Sequence, residues 1–121
     1  MPILDLGKAR SDTRSAQAAA NEQVSLIHEI ERQIDLDIET NYRNLLQTRK
    51  AVESFQKGRI DRSKQLLEMA QVGYQKGASS YLELLDAQQI YRSEQTDYLR
   101  ALSAYNIAAA SLERAAGGPL P

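Results

Sequence analysis

The chain has no cysteine and no tryptophan, one phenylalanine and one histidine. Without cysteine, disulfides and thiolate chemistry are excluded, a composition compatible with an oxidising compartment without requiring one. A single histidine, His28, with no thiol partner makes a zinc or haem site a poor expectation, and Ile27-His28-Glu29 reads as solvated helix surface. The three prolines, Pro2, Pro119 and Pro121, lie at the two ends, so nothing between them forbids helix. No run of about 18 apolar residues occurs, so no membrane-spanning helix is expected. The net charge is −1 with 26% charged residues, which leaves no overall field to draw nucleic acid or anionic lipid. The first ten residues, MPILDLGKAR, lack the basic-then-apolar order of a signal peptide. The chain therefore reads as cytoplasmic or as an excised piece of a longer protein.

What is present is helix-forming sequence. Pro2 to Gly7 is short and apolar and is expected to be a strand tail or an extended lead-in. From Lys8 to Val72 there is one glycine, Gly58, and no proline. Apolar residues recur at helical spacing, first as Ile27, Ile30, Ile34 and Ile38, then as Tyr42, Leu45, Val52, Leu66 and Ala70. Glu31, Arg32, Asp35, Glu39 and Arg43 occupy the other face. A helix of roughly 65 residues would run about 95 Å at 1.5 Å per residue, beyond the usual globular range and suggestive of a coiled coil or helical tube. Gly58 is the weak point, since a mid-helix glycine costs about 1 kcal/mol against alanine. The pattern resumes after it with Ile60, Leu66, Leu67 and Ala70 and no capping signal, which favours a helix continuing through it. Ala9 to Asn21 is rich in alanine, suited to close helix contact but burying little area.

The stretch GYQKGASSYLELLDAQ, residues 73–88, interrupts this regularity. Gly77 can adopt the left-handed conformation that turns a chain out of a helix. Ser80-Tyr81-Leu82-Glu83 fits a capping box, with Ser79 as the alternative cap. Acids at Glu83 and Asp86 oppose the positive end of the new helix dipole. Beyond the turn, Leu84, Tyr91, Tyr98, Tyr105 and Leu112 lie at steps of seven, interleaved with Gln88, Gln95, Leu102 and Ala109. A separate small-residue face carries Ala87, Ala101, Ala104, Ala108, Ser111 and Ala115, and two faces imply neighbours on two sides. Gly117-Gly118-Pro119 ends the helix. The expected fold is all-α: a long antiparallel helical hairpin, of coiled-coil type. Its first helix covers about residues 8–73, its tip turn 74–79 and its second helix about 80–116, in a single unit over 1–121.

Catalytic chemistry finds little support in these residues. Gly73-Tyr-Gln-Lys-Gly77 lacks the spacing of a phosphate loop and follows a helix where that motif follows a strand. Glu83 and Asp86 share a face at i, i+3, but a hairpin tip supplies no pocket for acid–base work. No cofactor and no enzymatic activity are expected.

Tyr74-x-x-Gly77-x-x-Ser80/Tyr81-x-x-Leu84-Leu85-Asp86-Ala87-Gln88, followed by Tyr98, Leu102, Tyr105-Asn106, Ala109, Leu112 and Gly117, resembles the C-terminal repeat of the TolC-like outer-membrane efflux factors. Pro2-Ile3-x-x-x-Gly7 resembles the point where that family's chain leaves its β-barrel and enters a long descending helix. The resemblance spans nearly the whole chain and is most specific over residues 74–117. It implies a periplasmic helical-tube segment of a trimeric channel in the outer membrane, working with a periplasmic adaptor protein and an inner-membrane pump. The barrel strands and the first repeat would lie elsewhere in a longer protein. Tyr74 then matches a tip tyrosine that helps close the entrance, Gly77 a tip glycine where adaptor hairpins engage, and Glu83 and Asp86 acidic positions that ring the constriction. At position 79 the best-studied members have an arginine that pairs in the closed gate, and Ser79 cannot make that pair. The rival readings are a soluble coiled-coil dimerisation module and the helical hairpin of the adaptor itself.

Overall fold

The computed structural model describes residues 2–119, with side chains from Leu6 onwards. The described residues are helical apart from two turns, in the order α1 (Pro2–Ser54), a π-helical segment (Phe55–Arg59), α2 (Ile60–Gln75) and α3 (Tyr81–Ala116). The chain forms two compact units, Met1–Glu39 and Thr40–Pro121.

The first unit belongs to α1. Residues 2–7 are helical backbone and not the extended lead-in expected of them. A proline in the first turn explains this, because its ring fixes a helical φ and the N–H it lacks would have had no partner there. The alanine-rich stretch that follows is helical throughout. The large apolar side chains of this unit, Val24, Leu26, Ile27, Ile30 and Ile34 among them, are exposed. His28 is also exposed, with Nδ1 3.6 Å from Glu31 Oε2 one turn on.

The second unit is the hairpin. The end of α1, the π-helical segment and α2 form one arm, and α3 returns as the other. One row of sheltered positions on α3 alternates in steps of three and four: Leu84, Ala87, Tyr91, Glu94, Tyr98, Ala101, Tyr105, Ala108, Leu112 and Ala115. That is the spacing of a helix face held against a straight partner. The five residues at steps of seven are therefore where the pattern places them. Of the residues expected between them, Gln88, Leu102 and Ala109 are half-buried and Gln95 is exposed, and Ala87, Glu94, Ala101, Ala108 and Ala115 are sheltered as well. Of the small-residue face, Ala87, Ala101, Ala108 and Ala115 thus share the tyrosine seam, Ser111 is half-buried and Ala104 is exposed. Alanines fit because tyrosines on either side already fill the gap between the helices.

The facing seam runs through Asn41, Leu45, Thr48, Val52 and Phe55, then Ile60, Ser63, Leu67 and Ala70. Val52, Phe55, Leu84, Ala108 and Leu112 are its buried apolar members. Tyr42 and Leu66, expected on the apolar stripe, are exposed, and their neighbours Asn41 and Leu67 are sheltered in their place. Ser63 is the one buried polar residue among those described, and its hydroxyl donates to the Ile60 carbonyl at 2.8 Å, so no donor is stranded.

Gly58 kinks the arm, so that α1 and α2 meet across a bend and do not run as one uninterrupted helix. Its φ of 134° and ψ of −2° fall outside the helical region, inside the π-helical segment. Around it, Phe55 meets Tyr98 with ring centroids 5.7 Å apart, and the Arg59 guanidinium lies 4.1 Å over the Phe55 ring. Arg59 Nη2 also donates to Glu94 Oε1 at 3.0 Å, and Gln56 Nε2 to the Tyr98 hydroxyl at 3.3 Å.

Candidate functional site: the hairpin tip

The turn is built by two helix ends that solve their loose backbone groups locally. The last four carbonyls of α2 and the first four N–H groups of α3 have no partner within their own helices. At the α2 end Gly77 takes φ 75°, the left-handed conformation. The Ala78 N–H donates to Gly73 O at 2.7 Å and the Gly77 N–H to Tyr74 O at 3.1 Å. This paired pattern is a Schellman motif, and Gly77 supplies it without the strain any side chain would add. The same motif closes α3, where Gly117 has φ 79° and Gly118 donates to Glu113 O at 3.0 Å.

At the α3 start the capping box is complete. The Glu83 N–H donates to Ser80 Oγ at 3.1 Å, and the Ser80 N–H donates to Glu83 Oε2 at 2.9 Å. Ser80 is the cap and Ser79 is not. The turn begins two residues later than its sequence suggests and ends one residue later, because α2 continues to Gln75, carrying Tyr74 in its last turn, and α3 starts at Tyr81.

Two residues of the tip escape sequence reasoning. Gly73 accepts from both Ala78 and Ser79 through its carbonyl, and a Cβ there would collide with Ser79 Oγ. Gly73 is thus required by close approach and Gly77 by conformation. The usable signal was two glycines four residues apart at a helix end, where one alone suffices for the turn. The second is Tyr81, whose ring lies 5.8 Å from that of Tyr74, tilted by 51°, so that an aromatic pair bridges the turn. Two tyrosines flanking a serine-glycine corner were visible in the sequence, but nothing in their spacing of seven marked them as neighbours.

The structure thus brings Tyr74, Gly77, Ser79 and Glu83 into one corner. Ser79 is half-buried, with its side chain in the space that a Cβ at Gly73 would need. Glu83 is exposed, with one carboxylate oxygen committed to the cap and the other left open to solvent. Asp86 sits one turn further along α3 and is exposed. Chemically the corner presents carboxylates to water without enclosing them. Among the described residues no three His, Cys, Asp or Glu side chains gather to hold a metal ion, and no helix is long and apolar enough to cross a membrane.

A family model described as outer membrane efflux protein matches residues 1–118. No curated protein and no solved structure matches the chain.

Proposed function

The chain belongs to the outer membrane efflux protein family, a family of transport channels, and on that premise we propose that its hairpin is a segment of a periplasmic helical tube whose tip forms part of the entrance. The observation that carries this reading is the outward face of the hairpin. With the seam closed, Leu66, Met69, Val72, Leu82, Leu85 and Leu99 remain exposed on both arms. A free-standing hairpin loses stability and solubility by such a surface, whereas a wall of side-by-side helices buries it. In a threefold assembly each of Glu83 and Asp86 recurs three times around the axis. The carboxylates then form a negative collar in a narrow, poorly screened opening, which raises the local concentration of cations.

A periplasmic adaptor protein would engage the turn around Gly77, where Lys76, Gly77 and Ala78 are exposed. An inner-membrane pump would supply the solute. The hairpin acts as conduit wall and needs no cofactor. The test is made on the full-length protein in planar bilayers. Replacing Glu83 with Gln and Asp86 with Asn together should lower the cation preference of single channels. Glutamine keeps the capping box, so the change removes charge and leaves the helix start intact. Unchanged selectivity would remove both residues from the constriction, and a dimer on chemical cross-linking in membranes would favour a dimerisation module over the tube.

A further inference from the structure

The π-helical segment holds one residue more than the seam requires. From Asn41 to Phe55 the sheltered positions advance by four, three, four and three, and from Ile60 to Ala70 by three, four and three. Between the seam side chains of Phe55 and Ile60 the step is five, with half-buried Gly58 between them, where the alternation calls for four. The opposite arm, α3, shows no such irregularity between Leu84 and Ala115. The kink at Gly58 takes up the surplus residue, and glycine makes this possible with a φ of 134°.

The same surplus has a second solution. Each residue of an α-helix turns the chain by about 100°. If the segment closed into ordinary α-helix, α2 would turn by that amount about its own axis, and the positions facing α3 would each step back by one. Leu66 and Met69 would then replace Leu67 and Ala70. Leu66 is 50% exposed and Met69 68% exposed in this structure, so a second apolar stripe lies ready beside the first. Arg62 and Leu66 already border a groove with Ile90 and Glu94 of α3. Glu94 Oε2 is buried there and accepts no hydrogen bond, which leaves an acceptor for an arriving Arg62. In the present register the Arg59–Glu94 pair and the Phe55–Tyr98 contact hold the segment as it is.

We propose that Phe55–Arg59 is a one-residue register switch, through which α2 rotates against α3 and exchanges its Leu67/Ala70 stripe for Leu66/Met69. The arms stay in contact in both states, as two discrete packings of one interface. The switch belongs to the hairpin itself and does not depend on the conduit reading.

Disulfide trapping tests it directly, because the chain has no native cysteine. The Arg59–Glu94 and Tyr74–Tyr81 pairs fix the antiparallel register and set Ala87 across from Leu67. The double variant Leu67→Cys/Ala87→Cys reports the present packing, and Leu66→Cys/Ala87→Cys the rotated one. Each is combined with Gly58→Ala or with deletion of Gly58. An alanine at position 58 meets no neighbouring atom, so it acts only by penalising the positive φ. Deletion removes the surplus and leaves the present seam as the only one in register.

In the parent the Leu67 pair should close about tenfold faster than the Leu66 pair, a population difference typical of a minor state. Gly58→Ala should reverse that order. Deletion of Gly58 should abolish the Leu66 cross-link and keep the Leu67 one, with helix content by circular dichroism unchanged. The proposal is overturned if Gly58→Ala keeps the parental order or loses both cross-links, or if deletion of Gly58 loses the Leu67 cross-link.

Discussion

Phe55 and Tyr98 meet across the hairpin with ring centroids 5.7 Å apart and planes inclined by 44°. Phe55 is buried and is the only phenylalanine in the chain, so this contact carries an unusual share of a slender interior. Replacing Phe55 with alanine should cost about 3 kcal/mol, through lost burial and the gap left behind. Urea denaturation followed by circular dichroism measures it. A double-mutant cycle with Tyr98→Leu should return a coupling of about 1 kcal/mol for the ring pair, and a coupling of zero would mean the rings merely share a space.

Gly73→Ala should destabilise the hairpin through collision with Ser79, by about 1–3 kcal/mol as for other overpacked sites. Ser79→Gly in the same chain should recover most of that loss, since both colliding atoms belong to Ser79. Thermal melting of the single and double variants decides the point. Simple additivity would show that Gly73 is needed for something other than space.

Ser80→Ala removes the oxygen that accepts from the Glu83 N–H and should cost about 1 kcal/mol. Glu83→Gln should cost much less, because an amide oxygen can still accept from the Ser80 N–H. If Glu83→Gln melted as low as Ser80→Ala, the negative charge and not the hydrogen bond would be holding the start of α3, and the selectivity experiment would need a different substitution.

Glu94→Ala should be neutral or stabilising by up to about 1 kcal/mol, although it deletes an ion pair that joins the two arms. The seam carries alanine at the equivalent positions Ala87, Ala101 and Ala108, and Glu94 now hides an oxygen with no hydrogen-bond donor. Arg59 is 44% exposed and keeps the Phe55 ring to lie on, so removing its partner strands no buried charge. Chemical denaturation at low and high salt is the measurement, and a marked loss at low salt alone would show that the pair contributes more than its exposure suggests.

The hairpin itself was legible in the sequence because its signals are local and redundant. Gly77, Ser80 and Glu83 each obey a rule about one helix end, and the heptads of Leu84 to Leu112 state the buried face four times over. The lead-in at residues 2–7 misled because a short apolar stretch ending in glycine suits strand and helix alike. Ala87, Ala101, Ala108 and Ala115 were legible as a packing face, but not as part of the tyrosine seam, because alanine by itself does not say which neighbour covers it. Ser63 was invisible for a related reason: its hydroxyl is satisfied by its own helix, so a polar residue can sit where an apolar one was expected. The π-helical segment was the hardest to see. Its signature is a single step of five between Phe55 and Ile60, and Leu66 offers a false continuation of the undisturbed rhythm. As for the tip acids, the sequence located Glu83 and Asp86, but their task depends on neighbouring copies that no single chain displays.

Ala108 is 1% exposed, and large residues at Tyr105 and Leu112 stand on either side of it along the return helix. Bulky and slight layers therefore follow one another along the whole junction like the teeth of a rack. Lengthwise creep of one arm past the other would drive a tyrosine into a space made for a methyl group, so shear is blocked at every tooth, and the motion this geometry leaves open is rotary.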